Sequence, residues 1–403
     1  MVRECRLPIS QKPRVRTGLT VLRDQMFAPL KGKRIGVVTH SAAVDDRLRS
    51  AAELLAEAPG VELAVLFGPE HGFEGAAQDL IAVVNGRDVH LQTAVISLYG
   101  ATFDSLQPTP EMLRGLDALV IDLQDIGSRY YTFQATMLLC FEAASRSDLL
   151  TIVLDRPNPL GGESVEGPVL KSGWESFVGI HPIVTRHGLT IGELALLYKA
   201  GRNLPGELLV IPCEGWQRAM DFSQTDLPWV MPSPNMPALE TAFVYPGQCL
   251  LEGTNISEGR GTTRPFELSG APWINGPEAA KRLNDEALPG VFFRPVRFQP
   301  TFHKFAGSVC GGVQIHVTDR ETFQPVRSGL AVLAEYYRQS AGHFDWRRTP
   351  YEFVADRLAI DLLFGSDRER LALERGLSWR DISHGWESDE SNFRERRRDY
   401  LLY

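Results

Sequence analysis

Short apolar runs alternate with helical patterns along the first half of the chain. The runs span residues 34–39, 61–67, 116–123, 149–154 and 208–212. Runs this apolar are typical of strands that are buried on both faces, as in a parallel sheet. Helical patterns follow at 47–57, 133–146 and 191–200, and Thr190 with Glu193 forms a capping box before the last of them. The alternation predicts a doubly wound α/β domain.

The second half has a different pattern, and a proline-rich stretch at 227–246 separates it from the first. We place the domain boundary there, which gives a first domain at 15–237 and a second at 238–403. Beyond the boundary, helical patterns near 277–284, 325–339 and 351–363 mix with strands near 291–298 and 312–317. The second part is therefore expected to be a smaller α+β domain.

Composition excludes several classes of protein. The formal net charge of -8 argues against a nucleic-acid partner, and the basic run at 394–398 reads as a solvated helix face. The five cysteines include no Cys-x-x-Cys pair, so neither a disulfide framework nor a zinc knuckle is indicated. The chain has neither the apolar stretch of a signal peptide nor a run of transmembrane length, so we expect a cytoplasmic protein without a membrane partner.

Polar clusters follow three of the predicted strands. They are Pro-Glu-His-Gly at 69–72, Asp-Leu-Gln-Asp at 122–125 and Asp-Arg-Pro-Asn at 155–158. Ligands of open α/β sheets bind outside the carboxyl ends of the strands, so the three clusters are expected to meet in one crevice. Each cluster also has a structural interpretation. The first could be a turn with a helix-capping acid, Asp122 could cap a helix or pair with Arg129, and the third could be an internal ion pair.

A long, glycine-rich polar loop at 252–265 opens the second part and carries Arg260 and Arg264. Loops of this length with so little apolar content are often functional, although a solvated loop is the alternative. Arginine suits an acidic substrate group because it pairs bidentately with carboxylates. Arg186 and His187 could supply another anion contact or belong to a structural loop. Tyr130 could stack on a sugar ring or lie in the core.

The motifs of several other chemistries are absent from the sequence. There is no Gly-x-Gly-x-x-Gly after a strand, no phosphate-binding P-loop, no Gly-x-Ser-x-Gly elbow and no His-Glu-x-x-His. We therefore expect neither a cofactor nor a resident metal. A pocket of carboxylates, arginines and aromatic residues is what glycoside hydrolysis requires.

Long motifs in the chain resemble those of the exo-β-N-acetylmuramidase family called NamZ. They lie at 68–73, 122–127, 155–159, 186–188, 232–237, 252–267 and 310–316, and the resemblance runs from about residue 17 to residue 403. It implies a Rossmann-like N-terminal domain, a smaller C-terminal domain and a site in the cleft between them. It also implies release of N-acetylmuramic acid from the non-reducing end of peptidoglycan fragments, during cell-wall turnover or recycling. One departure lies at 39–43, where Thr-His-Ser-Ala-Ala replaces the Thr-Asn-x-Thr-Gly that is common in the family.

The family's proposed catalytic glutamate falls on Glu70, which we expect to protonate the glycosidic oxygen while His71 orients the donor or a substrate hydroxyl. A proton donor of this kind must hold its proton near neutral pH, which burial or a nearby carboxylate favours. Asp125, Asp122 or Glu258 could be the second catalytic group, and the substrate's own acetamido oxygen is another candidate. An arginine, 260, 264 or 186, would pair with the lactyl carboxylate of the sugar. The predicted substrate contacts are Arg129, Tyr130, Asn158, Arg186, His187, Asn235, Asn255, Glu258, Arg260 and Arg264.

Two other functions fit the same crevice. One is a sugar-binding protein without turnover. The other is a metal-dependent hydrolase that uses His71, Asp122 and Asp125. Activity on a muramic-acid glycoside, and its response to chelation, would separate the three.

Overall fold

The computed structural model describes residues 14–75, 77–78, 81, 85–88 and 90–403. The strands within these ranges are β1 (Arg34–Thr39), β2 (Glu62–Gly68), β3 (Gly86–Arg87), β4 (Ala94–Ser97), β5 (Ala118–Asp122), β6 (Leu150–Leu154), β7 (Glu166–Val169), β8 (Val184–Arg186), β9 (Leu208–Ile211), β10 (Leu268–Ala271), β11 (Val291–Phe298) and β12 (Cys310–Val317). The α-helices are α1 (Gly18–Asp24), α2 (Ala51–Ala56), α3 (Pro110–Leu113), α4 (Phe133–Arg146), α5 (Ile191–Gly201), α6 (Leu239–Gln248), α7 (Gly276–Asp285), α8 (Pro325–Arg338), α9 (Ala359–Phe364), α10 (Arg368–Glu374), α11 (Trp379–His384) and α12 (Glu387–Arg396). Short 3-10 helices lie at Ala28–Leu30, Phe103–Leu106, Phe222–Gln224, Cys249–Gly253 and Arg397–Tyr400.

The N-terminal half is built on one seven-stranded sheet of order β3-β4-β2-β1-β5-β6-β9. All pairs in it are parallel except β3 with β4. Without the antiparallel edge strand, the parallel strands lie in the chain order 3-2-1-4-5-6, which is the Rossmann order. The predicted Rossmann-like α/β fold is confirmed.

Alternating side chains of the central strands enter two different cores. Val37, Val120 and Ile152 pack in a cluster with α1 and α2, whereas Ile121 and Val153 pack in a larger cluster with α4 and α5. Helices therefore cover both faces of the sheet, which explains why the strand sequences are apolar throughout.

The C-terminal half contains a three-stranded antiparallel sheet of order β10-β12-β11. Strands β7 and β8, which precede the predicted boundary, form a separate antiparallel pair. The larger core continues into this half without interruption, since it holds side chains of α4 together with those of α6, α8 and α9. The two halves are thus packed against each other, and the boundary at 237/238 remains a prediction. Among the described residues, no helix is long and apolar enough to cross a membrane.

Each predicted strand and helix has a counterpart in the structure, although α2 begins only at Ala51 and not at residue 47. Short elements such as α1, β4 and β10 were not predicted, and two further places differ. The helix expected at 351–363 is wrong in its first part, because the chain makes a tight turn at 351–354 and α9 begins only at Ala359. The proline-rich stretch also contains an unpredicted helix, α6, which tolerates Pro246 in its last turn. The capping box of Thr190 and Glu193 is confirmed at the start of α5.

Candidate active site

A cavity of about 40 Å³ lies between segments of the two halves. The N-terminal half contributes the turn after β2 and the residues just before α4. The C-terminal half contributes the Cys249–Gly253 segment, part of the glycine-rich loop and the turn at 351–352. The lining residues are Glu70, His71, Tyr130, Tyr131, Thr132, Val178, Ser233, Asn235, Met236, Tyr245, Glu252, Arg260, Phe266, Tyr351 and Glu352.

Glu70 is placed by a tight turn that follows β2. A Cβ on Gly68 would lie 2.6 Å from the backbone nitrogen of Phe73, so the chain can reverse this closely only because residue 68 is glycine. His71 has a φ of 69°, and its Nδ1 lies 2.9 Å from the carbonyl oxygen of Ala77. A carbonyl only accepts, so Nδ1 donates, and Nε2 of the neutral ring is an acceptor.

The carboxylate of Glu70 is only 4% exposed and accepts a hydrogen bond of 2.6 Å from the hydroxyl of Thr132. Thr132 is the N-cap residue of α4, but its side chain makes no capping bond to the helix. Threonine at this position ordinarily accepts from the backbone of the first turn. Here the hydroxyl is directed at the carboxylate instead, which fixes the orientation of Glu70 in the cavity wall.

Glu252 also lines the cavity and lies on the Cys249–Gly253 helix. Arg260 Nη1 donates to its Oε1 at 2.8 Å, and the hydroxyl of Tyr351 donates to its Oε2 at 2.7 Å. The guanidinium of Arg260 also lies over the ring of Phe266, 4.8 Å from its centroid. Both oxygens of Glu252 are therefore held by donors, one of them cationic.

Behind Arg260 lies a buried charge cluster. Glu258 has no exposed surface and contacts Arg260 at 3.0 Å, Lys304 at 2.8 Å and His303 at 3.1 Å. Burial alone would raise the pKa of Glu258, but Lys304, His303 and Arg260 together hold that pKa well below its usual range. Glu258 is thus a fixed negative charge that anchors Arg260 from outside the cavity.

A strained turn places Glu352 in the cavity. Tyr351 and Val354 exchange two backbone hydrogen bonds of 2.9 Å, and the two residues between them have positive φ, 44° at Glu352 and 67° at Phe353. Glycine and asparagine are the usual residues in such a turn, and other residues cost about 1–3 kcal/mol each. The hydroxyl of Tyr99 donates to Glu352 at 3.0 Å. His71 and Phe266 also have positive φ, so backbone strain recurs in the cavity lining.

The cavity brings together five of the residues predicted from the sequence. These are Glu70, His71, Tyr130, Asn235 and Arg260. The hydroxyl of Tyr130 donates to the carbonyl oxygen of Pro246, and Asn235 Nδ2 donates to Gln78 at 2.8 Å. Their roles in catalysis and binding remain predictions.

Asp122 and Asp125 do not line the cavity. Asp122 forms a fully buried, bidentate ion pair with Arg156, at 2.5 and 2.9 Å. Asp125 accepts from the backbone of Gly127 at 2.6 Å and lies 3.5 Å from Nε2 of His187. The residues that the structure describes contain no group of three or more His, Cys, Asp or Glu side chains that could hold a metal ion.

Most of the other predicted substrate contacts bond to the protein backbone instead. Arg129 is buried and donates to four carbonyl oxygens, two of them at the end of α9. The remaining side chains likewise bond to neighbouring loops; they are Asn158, Arg186, His187 and Asn255. Their polar atoms satisfy irregular backbone that has no ladder partner. These residues hold the walls of the fold and do not face the cavity.

Glu258 and Arg264 also lie outside the cavity lining. Glu258 lies behind Arg260, and Arg264 is largely exposed and pairs with Glu267 at 3.1 Å. The sequence reasoning missed Glu252, although it stands at the first position of the glycine-rich loop. It missed Glu352 because the turn at 351–354 was read as helix. A glutamate flanked by two aromatic residues, as in Tyr-Glu-Phe at 351–353, was the available signal.

Comparisons with known proteins identify the family of the chain. The family model described as "Exo-beta-N-acetylmuramidase NamZ, N-terminal" matches residues 35–240, and its C-terminal counterpart matches residues 243–403. A Bacillus subtilis (strain 168) protein named "Peptidoglycan beta-N-acetylmuramidase NamZ" is 45% identical over 394 residues, which are 98% of this chain and 92% of that protein.

Two crystal structures of DUF1343 family proteins from Bacteroides fragilis NCTC 9343 share the fold. The first has a TM-score of 0.87 at 37% identity and covers 97% of this chain and 99% of that one. The second has a TM-score of 0.76 at 29% identity and covers 96% and 99%. Both family models together with these relatives span nearly the whole chain. The chain therefore belongs to the NamZ family of exo-β-N-acetylmuramidases.

Proposed function

We propose that this protein releases N-acetylmuramic acid from the non-reducing end of peptidoglycan fragments, with Glu70 as the proton donor. The observation that carries the proposal is the position of Glu70, a buried acid in a cavity that two further carboxylates, Glu252 and Glu352, also line. Most glycoside hydrolases use such a pair, one acid for the leaving oxygen and one carboxylate for the sugar.

Thr132 supports the acid role of Glu70. Its hydroxyl donates to one oxygen of the carboxyl group, so the second oxygen is left to carry the proton toward the glycosidic oxygen. The proton moves from that oxygen of Glu70 to the leaving group as the bond between the anomeric carbon and the glycosidic oxygen breaks. The departing sugar leaves with the bonding electron pair and the proton, so it needs no negative charge.

His71 and the aromatic residues support recognition of a saccharide. Nε2 of the neutral His71 ring is an acceptor, which suits a hydroxyl of the sugar. Tyr130, Tyr131, Tyr245 and Phe266 supply flat apolar surfaces beside polar groups, a combination typical of pockets for small polar ligands. We therefore propose a peptidoglycan-derived saccharide as the substrate and no nucleic-acid or membrane partner.

A product assay tests this function. The wild-type protein is incubated with a disaccharide capped by N-acetylmuramic acid and, separately, with one capped by N-acetylglucosamine. We expect free N-acetylmuramic acid from the first substrate and little cleavage of the second. Tight binding without release would favour a sugar-binding protein, and loss of activity after exhaustive chelation would favour a metal-dependent hydrolase; either result would overturn the proposal.

A further inference from the structure

We propose that Glu252 is the second catalytic carboxylate, acting on a sugar held in the cavity that Glu70 also lines. This inference rests on the proposed function. It assigns a role for which the sequence left Asp122, Asp125, Glu258 and the substrate's own acetamido oxygen as candidates. Those three carboxylates lie outside the cavity lining, whereas Glu252 is part of it.

The contacts of Glu252 stabilise a negative charge. Arg260 and the hydroxyl of Tyr351 donate to its two oxygens at 2.8 and 2.7 Å. A cation and a phenol that donate to the two oxygens give a carboxylate hydrogen bonds, one of them charge-assisted. Two donors on two oxygens also fix the plane of the carboxylate. Glu252 therefore presents a fixed negative charge to the cavity.

The surroundings of Glu70 are different, and the difference divides the roles. The contact that holds Glu70 is the neutral hydroxyl of Thr132, at 2.6 Å. The two carboxyl groups of the cavity therefore differ in their partners, a neutral hydroxyl for Glu70 and a cation with a phenol for Glu252. The proposal assigns the proton transfer to Glu70 and the lasting negative charge to Glu252.

A second layer of charges holds Arg260 in its place against Glu252. Arg260 Nη1 contacts both Glu252 and Glu258, and Glu258 in turn pairs with Lys304. The two carboxylates are thus balanced by the two cations, and the cluster costs less to bury than an unbalanced one. We infer that Glu258 is a positioning residue, since it acts on the reaction only through Arg260 and Glu252.

The role of Glu252 follows from the charge that develops on the sugar. As the bond to the leaving oxygen breaks, its electron pair departs with that oxygen, and positive charge grows at the anomeric carbon and the ring oxygen. A carboxylate fixed beside these atoms lowers the energy of this state, and it needs no rearrangement during the step. Water then supplies the hydroxyl of the released sugar, and the proton that water loses restores Glu70.

Leaving-group dependence separates the two glutamates. The substrates are the disaccharide of N-acetylmuramic acid and N-acetylglucosamine, and para-nitrophenyl N-acetylmuramide, whose phenolate leaves without a proton. Glu252→Ala should lower kcat/KM by about 10³-fold or more on both. Glu70→Gln should lower it by about 10²–10⁴-fold on the disaccharide and much less on the aryl glycoside.

Azide distinguishes a catalytic role of Glu252 from a structural one. In Glu252→Ala, azide can enter the space of the missing carboxylate, bond to the anomeric carbon and displace para-nitrophenolate. We expect azide to raise the rate of this variant and to yield N-acetylmuramyl azide, with no such product from the wild type. Glu252→Gln keeps the shape of the side chain and serves if the alanine variant does not fold; it should show the same loss on both substrates.

A matched control is Glu335→Gln, because Glu335 is also a buried, arginine-paired glutamate of the C-terminal half but does not line the cavity. It should retain kcat/KM within a factor of about three. The inference is overturned if the Glu252 variants stay within tenfold of wild type on the aryl glycoside, or if Glu352→Gln shows the predicted pattern in their place. If wild type cleaves neither substrate, it is the proposed function that fails.

Discussion

The turns after β2, β5 and β6 lie along the same edge of the sheet and have similar polar sequences. Their acidic side chains nevertheless have different partners. After β2, Glu70 faces the cavity and bonds only to a hydroxyl among the contacts described above. After β5, Asp122 forms a bidentate ion pair with Arg156, which lies in the turn after β6. Asp155, also after β6, accepts from the first turn of α5 and from Thr190.

A position at the end of a strand therefore marks the edge of the sheet at which a site forms. It does not decide which side chains face that site. Whether a side chain at a strand end faces the cavity depends on the groups that neighbouring segments place against it. Within the N-terminal half, Asp122 is paired with an arginine, and Asp155 accepts hydrogen bonds at the start of a helix. The turn after β2 instead faces the C-terminal half across an opening, so its acid stays available to a ligand.

The largest expected effect is a loss of protein stability when Asp122 is replaced. Asp122→Asn leaves Arg156 as a buried, uncompensated charge, which should lower the free energy of unfolding by about 3–5 kcal/mol. Urea unfolding at pH 7 measures the loss, and the rate per folded molecule should stay within a few-fold of wild type. Glu57→Gln, which removes an exposed pair with Arg49, should cost less than about 1 kcal/mol. A folded Asp122→Asn with no activity would contradict the structural role.

His40, in the turn after β1, gives a smaller effect that depends on pH. Its Nε2 accepts from the backbone of Gln124 at 3.0 Å, and burial followed by the charge of Arg156 lowers the pKa of His40 to about 3. In the unfolded chain His40 is protonated near pH 6.5, whereas in the folded chain it stays neutral. The free energy of unfolding therefore decreases as pH falls below 6.5.

From pH 6.5 to 5 this loss amounts to about 2 kcal/mol from His40. His40→Asn keeps an acceptor for Gln124 without a titrating ring, so urea unfolding should show a weaker loss between these pH values. Replacement of the exposed His384 should leave the wild-type pH dependence in place. An identical pH dependence of His40→Asn and wild type would refute the assignment.

Arg264 should give the smallest effect. Its side chain is 52% exposed and pairs with Glu267, outside the cavity lining. Arg264→Ala should change KM for the disaccharide by less than about threefold and the free energy of unfolding by less than about 1 kcal/mol. Steady-state kinetics beside Arg260→Ala, which should lose most activity, would check this. A large rise in KM for Arg264→Ala would return this arginine to the site.

The fold was predictable because its signals are local. Strands buried on both faces leave apolar runs, as in 116–123, and the capping box at Thr190 marks a helix start. The site was predictable only in part. Glu70 follows its strand by two residues, whereas Glu252 and Glu352 acquire their positions from contacts that are distant in sequence. The partner of Asp122 also depends on tertiary contacts: the sequence suggested Arg129, whereas Asp122 pairs with Arg156.

The most direct test of the central claim is the rate at which Glu70→Gln cleaves the muramic-acid-capped disaccharide. The variant preserves the size of the side chain and its bond with Thr132, so its unfolding midpoint should match that of wild type. Because the leaving sugar then lacks a proton donor, kcat/KM should fall by about 10²–10⁴-fold. A folded Glu70→Gln that releases N-acetylmuramic acid within tenfold of the wild-type rate would contradict the account.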